Sequence, residues 1–99
     1  MAISRSEIDE QLTKLEGWKY TDKSLQKEFT FKDFPTAFAF MTRLAAVAEK
    51  LNHHPEWTNV YNKVFIKLTT HDADGVTELD FSFAHSAQDI ADSSKPAED

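Results

Sequence analysis

Ninety-nine residues, 40% of them apolar and 28% charged, describe one globular domain, of a size that buries only about 60–65% of its unfolded surface. The chain has no cysteine, which excludes a disulfide scaffold, a thiol nucleophile and a cysteine-ligated metal, and a net charge of −6 disfavours sequence-independent binding to nucleic acid. No apolar run of about 18 residues is present to span a membrane, and no basic segment followed by an apolar stretch marks a secretory signal, so the expected compartment is the cytoplasm.

The first helix has a clear start. Ser4 and Glu7 form an S-x-x-E capping box, and Ile3 is placed to staple onto Ile8. Ile8, Leu12 and Leu15 give it an apolar stripe, and Gly17 a stop. Residues 18–21 read as a short strand and Asp22-Lys23-Ser24 as a turn. Leu25, Lys27, Phe29 and Phe31 then alternate with polar residues in a second strand that runs to about Lys32. Asp33 caps a long second helix with Pro35 in its first turn. Phe34, Ala37, Phe38, Met41, Leu44, Ala45, Ala48 and Leu51 share one face of it. Phe40 and Val47 fall off that stripe, which leaves two readings: a helix buried on two sides, or one paired with another chain.

Residues 57–61 and 64–70 read as a β-hairpin turning at Asn62-Lys63, followed by the loop Asp72-Ala73-Asp74-Gly75. Thr77 caps the last helix in a T-x-x-D box with Asp80, and Val76 is placed to staple onto Phe81. Phe83, Ala84, Ala87, Ile90 and Ala91 form the inner face of that helix. Residues 1–91 therefore make a single domain, and residues 92–99 an expected disordered polar tail. The order α-β-β-α-β-β-α predicts an α+β fold, a four-stranded antiparallel sheet with three helices packed on one face.

Three of the four histidines bracket the second hairpin. A turn at Asn62-Lys63 pairs Tyr61 with Val64, faces Trp57 to Leu68, and by extension sets His54 opposite His71, with His53 and Asp72 beside them. Imidazoles brought together at one sheet end suit general acid–base work near neutral pH. The competing readings are surface histidines and a metal site, but adjacent His53 and His54 diverge and no H-x-x-x-H spacing is present. Neither a nucleophile elbow nor a phosphate loop occurs, and the two glycines, Gly17 and Gly75, are unrelated. Trp57, Tyr61 and Phe65 could stack a flat ligand, but each reads first as core or sheet packing. His85, alone on the last helix, reads as a surface residue.

The run Glu49-Lys50-Leu51-Asn52-His53-His54-Pro55-Glu56-Trp57, then Asn59-Val60-Tyr61-Asn62-Lys63-Val64, Thr70-His71 and Asp80, resembles the pterin-4a-carbinolamine dehydratase family. Phe31-Lys32-Asp33-Phe34 and Phe40-Met41-Thr42-Arg43 also resemble its animal members. The resemblance implies the same α+β fold in a homodimer or homotetramer joined through the second helix. It also implies an activity that needs no metal or organic cofactor: loss of water from 4a-hydroxytetrahydrobiopterin, left by a pterin-dependent aromatic amino acid hydroxylase, to give quinonoid dihydropterin. The positions that match are His53, His54 and His71. His54 and His71 take the proton transfers, and His53 substrate binding or support. Glu49 is placed to orient His53, and Asp80 to orient His71 or to cap its own helix. Pro55 and Trp57 hold the strand entry and one wall, and Asn52 and Thr70 complete the substrate-binding set. Animal members commonly carry Asp where this chain has Asn52, which removes one carboxylate from beside the histidines. Animal relatives also serve as a dimerisation cofactor of a transcription factor; Phe40, Arg43 and Val47 would form that surface here.

Overall fold

The elements run α1 (Arg5–Leu12), β1 (Lys19–Thr21), β2 (Ser24–Thr30), α2 (Phe34–Leu51), β3 (Glu56–Val60), β4 (Lys63–Leu68), a single 3-10 turn (His71–Ala73) and α3 (Glu78–Ser93), in a computed structural model that describes residues 2–93. The expected order α-β-β-α-β-β-α is the observed one. The strands form one antiparallel sheet in the order β1-β2-β4-β3, so each hairpin contributes one central and one edge strand. Alternation along the strands buries Leu25, Phe29, Val64, Ile66 and Leu68 on the helix-covered face. α2 adds Ala37, Phe40, Leu44 and Ala48 to this core, and α3 adds Phe81, Phe83, Ala84, Ala87 and Ala91. α1 contributes Ile8. The opposite face of the sheet, with Glu28, Thr58, Val60 and Lys63, is open. Among the described residues, no helix is long and apolar enough to cross a membrane.

The caps read from the sequence are present. Ser4 Oγ accepts from the Glu7 N–H at 3.2 Å, and Asp33 Oδ1 from the Thr36 N–H at 2.9 Å. Pro35 lies in the first turn of α2. Several boundaries move. α1 closes at Leu12, where the N–H groups of Thr13, Lys14 and Leu15 bond three residues back and tighten the chain. Leu15 is still delivered to the core, and Gly17 takes the left-handed conformation at φ 87°. The first hairpin turns on two residues, Asp22 and Lys23, both at positive φ. α3 continues two residues beyond the expected end of the domain, to Ser93; the rest of the expected tail lies outside the described residues.

Two expectations are corrected. The second hairpin turns at Tyr61-Asn62, not Asn62-Lys63: Val60 pairs with Lys63, and Trp57 faces Ile66 instead of Leu68. Asn62 is drawn away from the turn's far side by the end of β2. Its carbonyl accepts from the Phe31 N–H at 2.8 Å, and its side-chain amide donates to the Phe31 carbonyl at 2.7 Å. Asn59 Nδ2 ties the strand ends together by donating to the Lys63 carbonyl at 2.8 Å, and Tyr61 takes positive φ. The register shifts by an even number, so every side chain keeps its expected face. The second correction concerns α2. Phe40, suspected at an interface, is fully buried, its ring 5.1 Å from Phe29 and 4.8 Å from Phe31. The helix is rotated to put its bulkiest off-stripe ring inside. Phe34 and Phe38, read as core, are exposed instead, with ring centroids 5.8 Å apart.

Candidate active site

The site begins at the end of α2. Asn52 adopts the left-handed conformation (φ 52°), which Asn tolerates better than other residues with a Cβ. The His53 N–H then reaches back to the Ala48 carbonyl at 3.0 Å, the long closing bond of a Schellman motif. This reversal sends the adjacent histidines in opposite directions. The His53 side chain goes inward and is 10% exposed; that of His54 goes outward and is 58% exposed.

Each meets a carboxylate, in a pairing that differs from the expected one. Glu49, expected to orient His53, lies with Oε2 2.7 Å from His54 Nε2. Asp80, expected to orient His71 or cap α3, holds His53: its Oδ1 is 2.5 Å from His53 Nε2. The capping role is also real, since Asp80 Oδ2 accepts from the Thr77 N–H at 2.9 Å and from the Thr70 hydroxyl at 2.8 Å. The Asp80 side chain is fully buried, and its two oxygens are used by three donors. A carboxylate only accepts, so Nε2 of His53 is the donor in this contact, and whenever the ring is neutral Nδ1 is its bare nitrogen.

His71 opens the 3-10 turn, which an isolated bridge between Thr70 and Gly75 closes. Its side chain is 80% exposed, with Nε2 3.8 Å from Glu56 Oε2. The corrected register no longer sets His54 directly opposite His71. The turn nevertheless brings His71 to the same place: one open groove of about 300 Å³ is lined by His53, His54 and His71 together with Asn52, Thr69, Thr70 and Asp72. Of the other expected site residues, Glu49 and Asp80 stand behind the histidines rather than on the groove. Trp57 is half-buried against the core, and Pro55 is half-buried at the entry to β3. Thr69 and Glu56 were not singled out by sequence; the alternation of β3 and β4, carried to the strand ends, is the signal that reaches them. Among the described residues, no group of three or more His, Cys, Asp or Glu is placed to hold a metal ion.

A groove with three imidazoles, one of them fixed by a buried carboxylate, can give and take protons without a nucleophile. Residues 1–90 match the family described as Pterin 4 alpha carbinolamine dehydratase. The chain belongs to this family. Among relatives of the pterin carbinolamine dehydratases, one from Christiangramia forsetii is 50% identical over 91 residues, covering 92% of this chain and 94% of its own. One from Sinorhizobium medicae is 52% identical over 96 residues, covering 95% and 91%. Both bear the name pterin-4-alpha-carbinolamine dehydratase provisionally. The crystal structure of a transcriptional coactivator/pterin dehydratase from Brucella melitensis superposes with a TM-score of 0.90 at 47% identity, covering 92% of this chain and 99% of that one. A pterin dehydratase-like protein described as a RuBisCO assembly factor in the alpha-carboxysome superposes at 0.63 with 25% identity, over 75% and 86%. A protein of similar fold thus has a described role in assembly.

Proposed function

We propose that this protein is a 4a-hydroxytetrahydrobiopterin dehydratase that works by histidine acid–base catalysis in the recycling of tetrahydrobiopterin. The observation that carries the reading is the groove itself: the three histidines of the family motif line it, and buried Asp80 fixes one of them. In the reaction the N5 lone pair expels the 4a-hydroxyl. The C4a–O bond breaks, a C4a=N5 double bond forms, the oxygen leaves as water with a proton from an acid, and N5–H gives its proton to a base. The net change is loss of water, which needs no redox partner.

The sequence pattern gives His54 and His71 the proton transfers and His53 the supporting role. The Asp80 contact supports a different division. His53, with its proton fixed on Nε2, offers Nδ1 as a preorganised acceptor for the N5 proton. His54 and His71, exposed on the groove and each beside a glutamate, are the candidate acids for the leaving oxygen. Asn52, Thr70 and Asp72 then contact the polar edge of the pterin.

The test follows the loss of chemically generated carbinolamine with and without protein. Micromolar protein is expected to accelerate it, and His54→Ala or His71→Ala to slow turnover, the acid of the pair by about 10²-fold or more. Full rate in both variants removes them from the chemistry.

Assembly through the second helix belongs to the same proposal. The exposed Phe34–Phe38 pair supports it, in place of the buried Phe40. Light scattering is expected to give a multiple of the single-chain mass, reduced by Phe38→Ser; a single-chain mass for the wild type would remove it. That exposed pair also favours the alternative reading, a dimerisation cofactor for a protein partner; the Brucella relative is described as a transcriptional coactivator.

A further inference from the structure

Thr77 lies outside the histidine groove and caps α3, yet its hydroxyl does more than cap. Thr77 Oγ1 accepts from the Leu79 N–H at 3.2 Å and lies 2.8 Å from Thr70 Oγ1. The direction of that second bond follows from a count of protons. Thr70 has one hydroxyl proton and gives it to Asp80 Oδ2 at 2.8 Å, so its oxygen can only accept from Thr77. The chain of donors is then fixed from end to end: Leu79 N–H to Thr77, Thr77 O–H to Thr70, Thr70 O–H to Asp80, and His53 Nε2–H to the other carboxylate oxygen. The Thr77 N–H supplies the remaining donor to Asp80. Each hydroxyl gives one proton and takes one bond, and the helix start that feeds the chain carries the positive end of the α3 dipole.

We propose that Thr77 is a positioning residue for catalysis: acting through Thr70 and Asp80, it orients the carboxylate so that His53 holds its proton on Nε2 and keeps Nδ1 bare. The inference rests on the dehydratase reading for its kinetic consequence only. Without Thr77, the Thr70 hydroxyl is free to turn, and the Asp80 carboxylate loses the order that keeps Oδ1 for His53. The fixed tautomer then gives way to a mixture of both, and the fraction of rings with Nδ1 unprotonated falls.

The experiment uses the full chain in three variants. Thr77→Val keeps the shape and loses the hydroxyl; Thr77→Ser restores it; Thr70→Val breaks the middle of the chain and leaves the α3 cap in place. ¹⁵N NMR of the imidazole nitrogens reads the His53 tautomer directly. The wild type and Thr77→Ser are expected to show one protonated and one bare nitrogen, and Thr77→Val and Thr70→Val to show the two signals drawn together. In turnover assays Thr77→Val is expected to lower kcat about threefold to tenfold, with KM within about twofold, and Thr77→Ser to recover it. A wild-type tautomer pattern in Thr77→Val overturns the inference, whatever the activity. If Thr77→Val does not fold, Thr77→Gly, which a helix N-cap tolerates and which also lacks the hydroxyl, decides by the same signal. A wild type that does not accelerate dehydration overturns the dehydratase reading instead, and the tautomer signal still decides the role of Thr77.

Discussion

Asp80 joins a cap, a threonine pair and a histidine in one carboxylate. As an amide it would bring an N–H₂ toward at least one of three donors that need an acceptor. Asp80→Asn is therefore expected to slow dehydration by about 10²-fold or more and to destabilise the fold by about 1–3 kcal/mol, measured by turnover and by urea unfolding. The three histidines and the acid at position 80 were legible as types and spacings. Their partners were not, because one backbone angle decides them. Helical spacing brings Glu49 near whichever histidine follows outward, and the left-handed Asn52 makes that His54. The same turn aims His53 at the buried end of α3. Asn52→Gly, which suits that conformation, is expected to keep the stability of the fold in urea unfolding. Asn52→Val, which does not, is expected to lose both stability, by about 1–2 kcal/mol, and activity.

At the scale of elements, aromatic volume settled what periodicity left open. The apolar arc of α2 is wide enough to be rotated either way: Ala37, Leu44 and Ala48 serve both stripes, and the space beside Phe29 and Phe31 takes Phe40. Phe40→Ala is accordingly expected to cost about 3–5 kcal/mol in chemical denaturation, whereas Phe38→Ala, at a position 56% exposed, should leave the stability of the single chain nearly unchanged. The start of the same helix carries a pH dependence. Hydrogen bonds from the Thr36 hydroxyl, then from its backbone N–H, hold the Asp33 carboxyl below the ordinary carboxylate range. A lowered value in the folded state stabilises the fold above the unfolded pKa of about 3.9, and that contribution is lost as the pH falls through the folded value. Asp33→Asn keeps the cap without titrating, so the wild type's advantage in melting temperature over this variant, present at pH 6, should shrink as the pH falls below the unfolded value of about 3.9. Capping boxes and strand alternation were plain in the sequence because they are local. The β3–β4 turn was displaced by a contact from β2, which no local pattern announces.

For the molecule as a whole, the groove exists because three distant segments converge: the end of α2, the turn after β4 and the first turn of α3. A chain of 99 residues has little volume for an enclosed pocket, and the structure provides an open one whose order comes from behind, through Asp80. The family membership and the architecture were within reach of the sequence, since both depend on motif and element order. The depth of His53 was not, since it depends on packing across the molecule. His53, held by Asp80, is proposed to take the proton during dehydration, and the decisive measurement is stopped-flow loss of 4a-hydroxytetrahydrobiopterin in the presence of wild type and His53→Gln. Rapid loss is expected with the wild type and a rate lower by about 10²-fold or more with the variant; equal rates for the two proteins would remove His53 from the proton transfer.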